Sequence, residues 1–163
     1  MLKDNLLKKL NTQVNLEFFS SNLYLQMSAW CEYKGLPGSA KFLRAHAAEE
    51  MSHMHKIFDY IQDTGALAIV EQINKPDIEF KDLKDVFEQT YKHEKRITAQ
   101  INEIVDMALS AKDFSTFNFL QWYVSEQHEE EKLFKSILDK IEIIGLDGRG
   151  LFMIDREIGN LTI

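Results

Sequence analysis

Apolar and small residues recur along this chain at alternating steps of three and four, the period of helices packed along one stripe. From about Asn5 to Tyr33 the stripe reads Leu10, Val14, Glu17, Ser21, Tyr24, Ser28 and Cys31. From about Ser39 to Thr64 it reads Phe42, His46, Glu50, His53, Ile57 and Tyr60. A third stripe, from about Leu83 to Ser110, runs through Leu83, Phe87, Thr90, Glu94, Ile97, Ile101, Ile104 and Ala108. A fourth, from about Phe114 to Ile144, runs through Phe117, Leu120, Val124, Gln127, Glu130 or Glu131, Phe134, Ile137 and Ile141. Leu151, Ile154, Ile158 and Leu161 share one face of a short fifth helix over about 151–160.

Lys34-Gly35-Leu36-Pro37-Gly38 breaks the first helix from the second, Gly65 is placed to cap the second, Ala111-Lys112-Asp113 is a short turn, and Gly145 to Gly150 ends the fourth helix. Residues 66–82 carry no helical period. Extended, that segment reaches about 55 Å, whereas the second helix is about 40 Å long. The segment can therefore return along the bundle and start the third helix parallel to the second. The pattern predicts an all-α fold: a four-helix bundle over about 5–145, a long crossover between helices 2 and 3, and a short C-terminal helix, all in one domain of 1–163.

Composition agrees with long helices and narrows the function. Gly (7) and Pro (2) are scarce among 163 residues. The net charge of -7 argues against a nucleic-acid partner and suits a protein that handles cations. Cys31 is the single cysteine, which rules out a disulfide within the chain and fits a reducing compartment. The first residues lack the apolar run of a signal peptide, and no apolar stretch is long enough to span a membrane. The expected location is the cytoplasm.

The chemistry lies in the polar residues on the apolar stripes. Glu50 and His53, three apart, present a carboxylate and an imidazole on one helical face. Glu17 precedes Glu50 by 33 residues, and Glu94 precedes Gln127 by the same 33. Two helical hairpins about a pseudo-two-fold axis would bring these groups together at mid-bundle. A buried unpaired carboxylate costs several kcal/mol, and no Lys or Arg shares the stripes beside Glu17, Glu50, Glu94 and Glu130. Two divalent cations would balance four carboxylates. Oxygen-rich ligation with one imidazole suits iron or manganese better than structural zinc.

The segments Glu49-Glu50-Met51-Ser52-His53-Met54, Tyr91-Lys92-His93-Glu94 and Asn118 to Glu131 resemble those of the ferritins, specifically the haem-free bacterial type, and the resemblance covers essentially the whole chain. It implies a ferritin-like fold and ferroxidase chemistry: Fe(II) oxidised to Fe(III) by dioxygen or hydrogen peroxide at a di-iron centre. It implies storage of the ferric mineral in a hollow homo-oligomeric shell of 24 subunits. Carried over, Glu17, Glu50 and His53 would hold one iron, with Glu50 bridging to a second held by Glu94 and Glu130, and Gln127 beside it. Glu49, Glu126, Glu129 and Glu130 match a third iron site. Tyr24 matches a tyrosine near the centre that can join in electron transfer. Met51 stands where bacterioferritins place a haem-ligating methionine. The second half has Gln127-x-x-Glu130 in place of their Glu-x-x-His, so no haem is expected. One cysteine cannot supply a rubrerythrin-like iron site. His46 reads as a core histidine, His55, His93 and His128 as off-centre, and Trp122 as packing beside the site. A metal-free helical interaction protein and a di-iron oxidoreductase acting on another substrate are the competing classes.

Overall fold

The computed structural model describes residues 2–162, which form helices α1 (Asp4–Tyr33), α2 (Pro37–Asp63), α3 (Leu83–Ser110), α4 (Phe114–Ile144) and α5 (Gly148–Gly159), with no strand among them. Asp82, Asp113 and Asp147 cap α3, α4 and α5 by accepting hydrogen bonds from the backbone N–H groups of Asp85, Thr116 and Gly150. Gly65 follows α2 with φ +78°, a left-handed conformation that glycine adopts without a Cβ clash. No described helix is long and apolar enough to cross a membrane.

Two boundaries differ from the sequence expectation. Pro37 belongs to the first turn of α2, where its fixed φ and missing N–H cost nothing. Gly148 and Gly150 open α5 and do not merely end α4. The Asp147 cap supplies the helix start that two glycines obscure.

Contacts between helices fix their directions. Phe42 meets Phe134, His53 meets Tyr123, and Tyr60 Oη lies 2.9 Å from Thr116 Oγ1, so α2 and α4 are antiparallel. Residues 66–82 run the length of α1. Asn11 Nδ2 donates to the Leu67 carbonyl (3.2 Å) and Asn11 Oδ1 accepts from Ile69 N–H (2.7 Å). Asn15 repeats the clamp on Ile69 and Glu71, and Phe80 reaches Trp30 near the far end of the helix. The segment is the crossover that lets α3 run parallel to α2.

The stripes of α1 and α3 are buried as expected. On α2, Tyr60 is half-buried and Ile61 points inward. On the first half of α4 the inward row lies one residue earlier than apolarity suggests: Thr116 and Tyr123 are buried, whereas Phe117 and Val124 are half-buried. The inward hydroxyls are satisfied, since Tyr123 donates to the His53 carbonyl (2.7 Å) and Thr116 bonds Asp113 and Tyr60.

Two apolar clusters fill the bundle, and a polar layer separates them. One contains Tyr24, Met27, Phe42, Leu43, Phe87, Phe134 and Ile137 and continues under α5 through Ile154 and Ile158. The other contains Leu10, Val14, Ile57, Ile61, Ile97, Ile101, Leu120 and Tyr123. Between them every long helix buries polar residues: Glu17 and Ser20; Glu50 and His53; Thr90, His93 and Glu94; Gln127 and Glu130. The packed cores above and below hold that layer rigidly.

Asp155 on α5 locks the N-terminus of α2. Its carboxylate accepts from Gly38 N–H (3.0 Å) and Ser39 N–H (2.7 Å), two donors that lack an intrahelical partner. A Cβ at Gly38 would lie 2.1 Å from the Asp155 carbonyl oxygen, so only glycine permits this approach.

Candidate metal centre

Three groups of potential ligands converge in and beside the polar layer: Glu17, Glu50 and His53; His46, Glu50 and Glu130; and Glu49, His53 and Glu126. Within each group, one ligand atom per residue lies within 4.8 Å of the others. Glu50 belongs to the first two groups and so stands between two positions. His53 Nδ1 lies 3.5 Å from Glu50 Oε2. Glu17 Oε1 accepts a hydrogen bond from Gln13 Nε2 (2.7 Å), one turn earlier on α1.

Glu94 is buried beside these groups with both carboxylate oxygens already engaged. Oε1 accepts from the Tyr24 hydroxyl and Oε2 from Gln127 Nε2 at 2.9 Å. The 33-residue spacing between Glu94 and Gln127 is thus a direct contact. Glu130 is the inward acid at the place where Glu130 and Glu131 competed, and Glu131 is half-buried. Glu49 and Glu126 are half-buried and Glu129 is exposed. All three line a cavity of about 360 Å³, together with His46 and Glu130, that opens from the centre. Met51 packs against the lower apolar cluster.

His46 is a buried core histidine, as its spacing suggests. What sequence reasoning missed is its partner at the centre: its Nε2 lies 2.8 Å from Glu130 Oε2. Its place on the α2 stripe, one turn before Glu50, was the available signal. Gln13, one turn before Glu17, was likewise missed. His93 is buried off-centre, with Nε2 2.8 Å from Ser20 Oγ.

Burial raises the carboxyl groups toward their neutral forms. Glu17 and Glu94 are pushed up from 4.5 to about 7, chiefly by desolvation, which their hydrogen bonds from Gln13 and Tyr24 partly offset. Glu50 is pushed well above the usual carboxylate range by burial and by the charges of Glu94 and Glu17. Burial lowers His53 to about 4, leaving a neutral imidazole with one ring-nitrogen lone pair available. Burial also works against protonation of His46, but the hydrogen bond and charge of Glu130 outweigh it and raise that group. Among the described residues no Lys or Arg forms an ion pair with Glu17, Glu50, Glu94 or Glu130.

The donor set fits divalent metal ions. Glu17 Oε2 is buried and makes no hydrogen bond within the chain; His46 Nδ1 and Glu49 Oε2 make none either, although they face each other at 3.6 Å. Such orphaned acceptors are costly unless a further partner completes them. Carboxylate oxygens with neutral imidazole are ligands for iron or manganese.

An all-α bundle with carboxylates and a histidine meeting at mid-height from four helices defines the class of di-metal carboxylate proteins. The ferritin-like domain family matches residues 7–144. The chain is 61% identical over 162 residues to a probable bacterial non-heme ferritin-like protein of Haemophilus influenzae, covering 99% of this chain and 98% of that one. It is 55% identical over 161 residues to the bacterial non-heme ferritin of Escherichia coli, covering 99% and 98%. Its backbone matches an open pore ferritin from the archaeon Archaeoglobus fulgidus with a TM-score of 0.96 at 37% identity, covering 99% of this chain and 98% of that one. The chain belongs to the ferritin family, in its haem-free bacterial branch, and iron storage is its function.

Proposed function

We propose that this chain oxidises Fe(II) at the mid-bundle centre and passes the product to a ferric store inside a shell of 24 copies of itself. The observation that carries the proposal is the polar layer itself: acids and imidazoles from four helices, buried without a lysine or arginine partner between two apolar cores. Iron is here the substrate. Glu17, Glu50 and His53 bind the first Fe(II), and Glu50 with Glu130 and Glu94 binds the second. Gln127 and Tyr24 orient Glu94 through the two hydrogen bonds it accepts. His46 orients Glu130.

Each Fe(II) gives up one electron. Dioxygen accepts the two electrons with two protons and becomes hydrogen peroxide, and hydrogen peroxide can in turn accept two from a second pair. Carboxylates suit this step because anionic oxygen favours Fe(III) over Fe(II). Protons displaced from Glu17, Glu50 and Glu94 by the incoming cations leave in the same region. Glu49, Glu126 and Glu129 line the opening between α2 and α4 and hold an outer iron in transit. A cytoplasmic setting, with its supply of Fe(II), suits this activity.

Aerobic loading with Fe(II), followed by sizing of the native particle, tests the proposal. Storage predicts that iron far beyond two ions per chain travels with a particle many times the 19.0 kDa subunit. A monomer or dimer that holds no more than two irons per chain would favour a di-iron oxidoreductase of other purpose.

A further inference from the structure

Beside the opening between α2 and α4, two rows of side chains face each other. From α2 come Glu49, His53 and Lys56, and from α4 come Glu126 and Trp122. Glu49, His53 and Glu126 converge at one end as a potential cation cluster. At the other end Lys56 Nζ sits 4.4 Å from the centroid of the Trp122 ring. The indole is fixed from three sides. It meets the His53 imidazole edge-on at 5.2 Å and Tyr123 at 4.8 Å, with Lys56 over its face. A cation held over an indole gains on the order of 1 kcal/mol, enough to bias a long lysine side chain toward one place. The positive charge thereby stands one helical turn from His53 and across the opening from the Trp122–Glu126 turn.

We propose that Lys56 is a charge gate for the outer cluster: latched on Trp122, its ammonium closes one side of the opening and weakens divalent-cation binding at Glu49, His53 and Glu126. The outer cluster is then a place of passage. Two carboxylates and an imidazole attract iron, and an ammonium nearby lowers that affinity by Coulomb repulsion; Lys132 lines the adjoining cavity, and Lys56 adds its charge on the His53 side. Lys56 Nζ is 4.4 Å from the Trp122 centroid, and that ring is 5.2 Å from the His53 imidazole, so the ammonium is within electrostatic reach of the cluster. Trp122 thus acts as the seat that sets where the charge stands, and Lys56 as a positioning residue that touches no reacting atom. The inference rests on the outer iron position of the proposed function, with which it shares Glu49 and Glu126.

The test is an anaerobic titration of the assembled protein with Co(II), which is not oxidised, followed by calorimetry and the Co(II) absorption bands. Lys56→Gln should bind the outer equivalent about fivefold more tightly than wild type, with the second inner equivalent, at Glu50, Glu94 and Glu130, unchanged. Lys56→Arg, which keeps the charge and the stacking, should behave as wild type. Adding Glu126→Ala should abolish the gain. The gate is overturned if Lys56→Gln binds the outer equivalent as wild type does, or if Lys56→Arg matches Lys56→Gln. A wild-type protein with no outer equivalent at all overturns both the outer cluster and the gate.

Discussion

His46 Nε2 lies 2.8 Å from Glu130 Oε2, joining α2 to α4 across the centre. Both groups are buried, and His46 stacks on Phe42 and meets Phe134 edge-on, so the imidazole has little room to turn. The imidazole thereby holds the Glu130 carboxylate in place. His46→Leu keeps the apolar packing and removes that hold. The second cation should then bind roughly tenfold more weakly, the usual scale for losing a group that orients a ligand, while the first is little changed. Calorimetric titration with Co(II) separates the two.

Tyr24 donates its hydroxyl to Glu94, and that bond favours the charged carboxylate. Tyr24→Phe removes the donor, so the Glu94 pKa should rise further. Protons then compete harder with the second cation. The loss of affinity should be large at about pH 6 and shrink toward about pH 8, where protons are scarce. A loss of equal size at both pH values would separate Tyr24 from the protonation of Glu94.

The raised carboxyls set a pH dependence of known sign. Glu17 and Glu94 titrate at about 7 in the fold against an ordinary 4.5. Their contribution to the stability of the cation-free protein is fully present below 4.5 and is lost as pH rises through 7. A bound divalent cation reverses that loss. Stabilisation by Co(II), read as a rise in Tm, should therefore be greater at about pH 8 than at about pH 5. His53, lowered from 6.5 to about 4, adds a slope of the opposite sign, a gain of stability as pH rises from about 4 to 6.5, and none above that.

Asp155 caps α2 from a different helix, and its loss strands two backbone donors. Asp155→Ala should cost about 1–2 kcal/mol in denaturant unfolding. Affinity at the centre should hold, because α2 reaches Glu50 several turns further on.

The four long helices were legible because each carries one stripe over many turns, and period accumulates over length. The 33-residue spacing anticipated a contact that the fold makes, between Glu94 and Gln127. What stayed hidden depends on partners distant in sequence. Thr116 and Tyr123 turn inward in place of Phe117 and Val124 because Tyr60, Asp113 and the His53 carbonyl satisfy their hydroxyls. Gly148 and Gly150 read as a break because their helix depends on the Asp147 cap and on packing of Ile154 and Ile158 under α2 and α4. His46 carries an inward-facing position in its spacing, but its tie to Glu130 exists only once α2 and α4 lie antiparallel.

The central claim is that the polar layer is a two-iron oxidation centre. Stopped-flow mixing of the assembled protein with two Fe(II) per chain in oxygenated buffer tests it most directly, with His53→Ala alongside. Wild type should show a rapid Fe(III) absorbance phase, with about one dioxygen consumed per two irons, and His53→Ala should slow it by about two orders of magnitude. A His53→Ala protein that oxidises Fe(II) at the wild-type rate would contradict it.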